Sequence, residues 1–525
     1  MSKRLKIILL AVIILPLVII LGAIAAVYYN QERLVQQGIT AVNDSYRGEL
    51  VVTGSHISPF ANFPYISIDL EGVAFYENKA KNTKPLYTAK DVYVGFDLWD
   101  ILAGNYKVKS IKINQGHLDV IKYENGDINL LLAKEMESTK EEIEDEEDFQ
   151  FELEKLTING FELQYADLAT GKEILAHIQN LESKISMSDD HFFIDLLSQL
   201  DLELMENGVP HYFSNKHFEL DLELDYDKVT EVLKVIPSKL KFEEALFTLE
   251  GIVDVSNDLD MDLKFYGEKP DFNVFAAFAP KEVGEALKRY KNEGQIYFLG
   301  SIRGKSMNDH TPAISVEFGA DNAYFLNTEV DKKVDQLSFA GYFTNGKERT
   351  LESSELRLQK FSARPAEGIF QGKMIVKNFK DPNIKVNLHA DLDLEFVGQF
   401  LQVEGLERLK GQILLDMDFD ELVDLELPGE NLAQLKSGID SELTIKNLSF
   451  NIPNYPHSIR RANGHATMEN GQIIMDNLSF GIADSDFKFS MELSDFPALF
   501  HRYDKPIKLS MEASSKKVNL SLIHI

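Results

Sequence analysis

The sequence contains no cysteine, which removes disulfide frameworks, thiolate nucleophiles, cysteine-ligated zinc and iron–sulfur clusters together. Basic residues are in deficit: 54 Lys and Arg stand against 84 Asp and Glu, for a net charge of −30 over 525 residues. Such a chain repels a phosphate backbone instead of releasing its counterions, so nucleic acid is a poor partner. Catalytic signatures are also missing: there is no Gly-x-Ser-x-Gly, no Walker loop, no Gly-x-Gly-x-x-Gly and no His-Glu-x-x-His. The expectation is a protein that is not an enzyme and carries no cofactor and no metal. His211 and His217 have metal-like spacing, but on an expected loop they read as coincidence. Asp416-x-Asp418-x-Asp420 opens like a calcium loop, yet Glu421 stands where that loop needs glycine, so the three read as the wet face of a strand. Tryptophan occurs once, as Trp99 in Phe96-Asp-Leu-Trp-Asp-Ile-Leu102, read here as a short amphipathic helix with its indole packed on the sheet; an interfacial anchor is the competing role.

Long apolar runs are absent but for one. Ile7 to Tyr29 is 23 residues without a charge, and at 1.5 Å per residue a helix of that length covers about 34 Å, enough for a bilayer core of about 30 Å. Lys3, Arg4 and Lys6 precede it, which places the N-terminus in the cytoplasm and the bulk of the chain outside. Pro16 would kink this helix without preventing insertion. A cleaved signal peptide is the alternative, given Ala23-Ile24-Ala25, but a signal's apolar core is shorter. The segments expected are a cytoplasmic tip and transmembrane anchor over 1–30, a β-rich region over 31–134, an acidic linker over 135–148 and a repetitive β region over 149–525. Glu135 to Asp148 holds nine acids and one lysine, too polar and self-repelling to pack. Val518–Ile525 ends in a strand-like run, compatible with a chain that continues further.

What remains reads as strand. Gln31 to Asp44 suits a short helix leaving the membrane. Gly72, Gly116 and Gly160 then lie 44 residues apart, each between short alternating apolar runs, and the second is slipped by one; the expected unit is strand, glycine turn or bulge, strand. Farther on, Phe218, Leu220, Leu222, Leu224 and Tyr226 alternate with acids; Leu259, Met261, Leu263 and Phe265 alternate with Asp260, Asp262 and Lys264, Leu388, Ala390, Leu392, Leu394 and Phe396 with His389 and three acids, and Leu415, Met417 and Phe419 with acids. Such alternation belongs to antiparallel sheet with one dry and one wet face. Helical patterns cover Lys281–Lys291 and Glu395–Lys410, each followed by Gly-Gln-Ile (Gly294 and Gly411), a 117-residue spacing that suggests a larger repeat of helix, glycine and meandering strands.

So many apolar strand faces and so few helices mean that the sheet must cover itself. It can close into a sandwich or barrel, making the apolar stripe a core, or curl into a long trough that stays open along one side. Periodicity leaves both open.

Three features together resemble the AsmA-like family of envelope proteins, the group of AsmA, TamB and YhdP. One is a basic N-terminus and single span followed by Ile66-Ser-Ile-Asp-Leu-Glu-Gly-Val-Ala-Phe75. Another is Pro85 to Gly104 with Val108-Lys-Ser-Ile-Lys-Ile113. The last is Gly116-His-Leu-Asp-Val120 leading to Asn125-Gly-Asp-Ile-Asn129. The likeness covers residues 1 to about 185 and is architectural beyond. It implies an inner-membrane anchor in a diderm (Gram-negative) bacterium, a mainly β chain in the periplasm whose repetitive sheet curls into an apolar groove, and phospholipid as cargo moving towards the outer membrane. On that reading Phe218, Leu220, Leu222, Leu224, Leu259, Met261, Leu263, Phe265, Leu388, Leu392, Leu394, Leu415, Met417 and Phe419 line the groove. The alternative is a periplasmic assembly factor or scaffold whose strand edges pair with outer-membrane proteins.

Overall fold

The structure is a computed structural model that describes residues 3–79, 84–134, 151–210, 215–267, 271–278, 287, 289–307, 310–402, 405–422, 439–453, 455–495 and 507–518, the side chains of 3–18, 151, 206, 209, 210, 421 and 422 being outside that description. The acidic stretch Glu135–Asp148, His211, Lys281–Ala286 and the last seven residues therefore lie outside it. Strand dominates, and the chain divides into two compact units, Met1–Ile252 and Val253–Ile525.

The first unit opens with α1 (Lys3–Ser45), a single helix of 43 residues. It replaces the expected pair of a span and a separate short helix: nothing between Tyr29 and Gln31 breaks helical geometry, and Pro16 falls inside it. The uncharged stretch Ile7–Tyr29 is carried on α1, its first part among the side chains outside the description; among the described residues no helix is long and apolar enough to cross a membrane. The strands follow as β1 (Glu49–Val51), β2 (Gly54–Asn62), β3 (Tyr65–Tyr76), β4 (Tyr87–Phe96), β5 (Val108–Lys122), β6 (Phe151–Asp167), β7 (Lys172–Ser188), β8 (His191–Glu206), β9 (Val209–Pro210), β10 (Lys216–Asp227) and β11 (Val232–Phe242). Two short helices interrupt them, α2 (Leu98–Leu102) and α3 (Asn129–Lys134). β12 (Ala245–Asp254) reaches the boundary between the units.

β1 and β2 both pair with β3, and the ladder continues through β4, β5, β6, β7, β8 and β10 to β11. One step departs from the expected antiparallel pattern: β6 runs parallel to β5. A parallel neighbour needs a crossover rather than a hairpin, and α3 lies on the chain leaving β5 towards it. The Asn125-Gly-Asp-Ile-Asn129 motif has a structural task at this point. Asn125 and Asp127 close a turn, and buried Asn129 accepts from the amides of Ile121 (2.9 Å) and Leu130 (2.7 Å) while donating to the Asp119 carbonyl (2.8 Å), so the chain leaves β5 clamped.

Of the expected glycine turn or bulge, the structure has the bulge and not the turn. Each of the three glycines lies inside one long strand, where a left-handed residue shifts the phase of the alternation. Gly72 (φ 55°) and Gly160 (φ 62°) take that conformation themselves, whereas in β5 the left-handed residue is Gln115 (φ 51°). This accounts for the slip of one in the middle unit. Gly116 has another role: a Cβ there would meet the Phe161 ring at 2.4 Å, and Phe161 lies directly opposite on β6.

The second unit holds β13 (Asp260–Gly267), α4 (Asn273–Phe278), β14 (Tyr290–Gly304), β15 (Ala313–Asn327), β16 (Lys332–Thr344), β17 (Glu355–Pro365), β18 (Ile369–Lys377), β19 (Asn383–Asp393), α5 (Leu394–Leu401), β20 (Glu407–Leu422), β21 (Ile439–Asn451), β22 (Ile459–Glu469), β23 (Gln472–Ile482), β24 (Ser485–Leu493) and β25 (Leu509–Ser514). From β13 to β25 each strand pairs antiparallel with the next. Helix α5 is shorter than its sequence pattern. Asp393 caps its start, accepting from the amides of Glu395 and Phe396, and left-handed Gln402 ends it. Residues 407–410 are drawn into β20 instead, because there they gain ladder partners on β21. Tyr290 and Lys291, at the end of the other expected helix, belong to β14. Of the 117-residue correspondence the structure shows the glycines, for the register shifts at Gly294 in β14 and at Gly411 in β20; most of the helix expected over Lys281–Lys291 lies outside the described residues.

The expected curling into a groove is not found: the sheet neither curls up nor closes, and in each unit the first and last strands of the ladder have no pairing with each other among the described residues. Alternation of period two selects a face but contains no term for curvature, so this lay beyond the reach of the pattern. A packed core in the first unit lies where α1 crosses the sheet: Ala23, Val27 and Leu34 pack with Ile66, Ile68, Phe96, Ile101 and Val108.

Candidate functional site: a continuous apolar sheet face

The register carries apolar side chains from strand to strand without a charged interruption. In the first unit one row runs Leu70, Val92, Ile113, Ile158, Leu181, Ser198, Leu220, Leu240, and a second runs Val73, Ala89, Gly116, Phe161, Ile178, Leu200, Phe218, Phe242. Ile158 and Phe161 are three residues apart on one strand yet belong to one face, since left-handed Gly160 between them restores the phase. In the second unit a row runs Phe298, Phe318, Gly341, Leu358, Met374, Val386, Phe419, Ile439. Another runs Phe370, Ala390, Leu415, Leu443, Ala466, Met475, Met491, Met511, to the last described strand. At about 4.8 Å between strands, the twelve steps from β13 to β25 amount to about 58 Å of ladder.

Re-phasing recurs throughout the second unit. Asn322, Gln336, Lys360, Asn447 and Asn477 all have positive φ and all lie at register shifts. Such bulges re-aim the residues beyond them, so apolar positions spaced by three (Leu358 and Phe361, Ile445 and Leu448, Met475 and Leu478) share a face. Bulky rings lie over glycines on the neighbouring strand, as Phe265 does over Gly300, Tyr297 over Gly319 and Phe318 over Gly341.

Of the residues expected to line the site, Phe218, Leu220, Leu222, Leu224, Met261, Leu263, Phe265, Leu388, Leu392, Leu415, Met417 and Phe419 lie on strands and are half-buried. They are neither as enclosed as Ile68, 2 % exposed, nor open to water on all sides. Two placements are corrected. Leu259 sits in the bend before β13 with φ 50°, and Leu394 is the buried first residue of α5, where capping by Asp393 turns the chain out of the strand. The four alternating series do not include Phe298, Phe318, Phe339 and Phe361; Phe339 and Phe361 lie beside bulges, where a spacing of three is the signal, whereas Ile296–Phe298 and Ile314–Val316–Phe318 alternate without a break.

Part of this face is covered. Phe272, Phe275 and Phe278 of the α4 region reach the rings of Phe325, Phe318, Phe339 and Phe298, at centroid distances of 4.4, 5.7, 5.3 and 5.3 Å. From α5, Phe400 stacks on Tyr290 at 4.9 Å.

The opposite face carries most of the charge, and on β19 and β20 its groups are paired. Asp416, Asp418 and Asp420 lie across from His389, Asn387 and Lys385 and bond to them, which makes the Asp-x-Asp-x-Asp series the wet side of β20. His217 bonds Asp201 at 2.7 Å, and among the described residues no cluster of His, Asp and Glu could hold a metal ion. His191 bonds Asp225 at 2.7 Å, and that partner raises the imidazole above its ordinary pKa. Near the start of the sheet Asp69 is 4 % exposed with Oδ1 unpartnered, and burial raises its carboxyl despite His56 at 3.6 Å. Compared with known proteins, the chain matches no family model and no curated sequence.

Proposed function

We propose that this is a non-enzymatic envelope protein that transfers phospholipid between the inner and outer membranes of a diderm bacterium. In this reading α1 anchors it in the inner membrane, the bulk lies in the periplasm, and the protein is AsmA-like. The observation that supports it is the continuity of the apolar rows from strand to strand within each unit, with paired polar groups on the other side of β19 and β20. Keeping one CH₂ of an acyl chain from water is worth about 0.8 kcal/mol, so a lipid can slide only where apolar surface gives way to more apolar surface; a single polar strand would raise a barrier of several kcal/mol. Headgroups remain in water beside the sheet. A passive face sets no direction, which has to come from partners or from consumption at the far end. Photocrosslinkers at Leu222, Met261 and Leu388 should capture phospholipid in cells. Capture of protein neighbours alone would refute a lipid path at those positions.

A second reading, assembly of outer-membrane proteins by strand pairing, is favoured by β25. Its six residues are all exposed, and among the described residues its outer edge has no partner strand. Gentle detergent extraction separates the two: near-stoichiometric co-purified lipid favours transfer, and outer-membrane proteins without lipid favour assembly.

A further inference from the structure

One end of the first sheet exposes a set of large side chains that a water-facing surface does not explain. Trp99 is 66 % exposed, where the sequence pattern had its indole packed on the sheet. The reason lies in α2: Asp97 caps it, accepting from the Trp99 amide at 2.7 Å, and the side that turns inward carries Ile101, which is buried against α1. Trp99 is thereby turned outward, next to half-exposed Leu102. Phe60 (71 % exposed) and Phe63 (73 %) lie around the β2–β3 turn, which the Asn62–Tyr65 pair closes. This turn and α2 share an end of the ladder, because Ile66 at the start of β3 pairs with Phe96 at the end of β4, just before α2.

Helix α1 leaves the sheet at that end. Ala23 and Val27 pack beside Ile66, Phe96 and Ile101, whereas its C-terminal part is tied to the far end, Asn43 bonding Leu50 of β1 and β1 pairing with the last residues of β3. The remainder of α1, residues 3–22, thus runs away from the sheet past Trp99 and the β2–β3 turn. Leu21 on this emerging part is exposed, and so are Tyr28 (61 %) and Tyr29 (84 %) just beyond it, where α1 turns its other side to the sheet.

We infer that these side chains form an apolar collar by which this end of the sheet sits in the interfacial layer of the bilayer that α1 enters. The inference rests on the anchoring role proposed for α1. Trp, Tyr and Phe are the residues that favour that layer, the indole and phenol N–H or O–H meeting headgroup and water while the ring meets acyl chain. The attraction is not electrostatic. Asp97 and Asp100 adjoin Trp99, and the nearby Lys107 and Lys109 are held by Glu152 and Glu154, so among the described residues the collar offers no free basic patch to anionic lipid. Seating the collar would bring the start of the apolar rows, at Leu70 and Val92, within one strand length of the lipid.

Trp99 is the sole tryptophan, so its emission reports on this place alone. The full chain, reconstituted into vesicles of zwitterionic phosphatidylcholine, should show emission shifted to shorter wavelength than in urea. It should be quenched more by lipid brominated near the ester end of the acyl chain than by lipid brominated near the methyl end, and added salt should change neither result. Replacing Phe60 and Phe63 together by Ser should return emission towards the water value while α1 stays resistant to alkaline extraction. Water-like, unquenched emission from a chain that resists alkaline extraction would overturn the collar and leave the anchor standing. A chain that never enters the vesicles would overturn both.

Discussion

Placing a carboxylate on the apolar face tests most directly whether that face is open or an ordinary core. Leu388 is half-buried between Gly372 and Met417, its ladder neighbours, and is flanked by polar Asn387 and His389. Burying a leucine side chain fully is worth about 1.5–3 kcal/mol, so a half-buried one contributes about 1 kcal/mol. In Leu388→Glu the new carboxylate can reach water past the small glycine, so the loss should stay near that value. Ile68 is the contrast: at 2 % exposure beneath α1, its replacement by Glu forfeits about 3 kcal/mol of burial and adds an unpartnered charge, for a total of at least about 4 kcal/mol. With about 2–4 °C of Tm per kcal/mol for units of this size, Leu388→Glu should lower Tm by about 2–4 °C and Ile68→Glu by about 10 °C or more. Calorimetry of the detergent-solubilised chain reads both, with one transition for each unit if they melt apart. In cells Leu388→Glu should remain at near-normal level while lipid crosslinking beyond it falls. Equal and severe losses for the two variants would show that Leu388 is covered, and the lipid path would fail there.

Three further outcomes follow from named groups. Asp69 has its carboxyl raised by burial, so its ionisation opposes folding: the penalty is absent below the unfolded carboxylate pKa of about 3.9 and complete above the raised folded value. Asp69→Asn should therefore raise Tm at pH 7 with the gain vanishing near pH 3, and a gain independent of pH would exclude the carboxylate as its cause. His191 is raised by Asp225, so Asp225→Asn should bring its imidazole titration, followed by NMR, down towards about 6.5, and an unmoved midpoint would rule out that hydrogen bond. Gly116→Val drives a side chain into the Phe161 ring and should cost about 1–3 kcal/mol in urea unfolding, with Phe161→Ala relieving part of it in the double variant. Strict additivity would mean that the two residues do not meet.

By itself the sequence determined the class of structure and the sidedness of its strands. Where Leu415, Met417 and Phe419 alternate with Asp416, Asp418 and Asp420, no antiparallel ladder can avoid one dry and one wet face, since neighbouring side chains on a strand must point opposite ways. That property is local, and it survived in β10, β13, β19 and β20. Tertiary structure alone decided everything that depends on what a strand pairs with. Whether a left-handed residue such as Gln336 or Lys360 re-phases its strand depends on the neighbouring ladder, which is why Phe361 escapes an alternation count. The parallel step from β5 to β6 was likewise unreadable, because it depends on where a crossover delivers the chain rather than on the composition of either strand. Residues 407–410 had a helical pattern and became strand, their backbone hydrogen bonds on β21 outweighing a weak local preference. Trp99 reversed for the same kind of reason. An amphipathic five-residue helix can bury only one side, and the position of α1 gave that side to Ile101, leaving the only indole of the chain exposed at the end of the sheet where α1 departs.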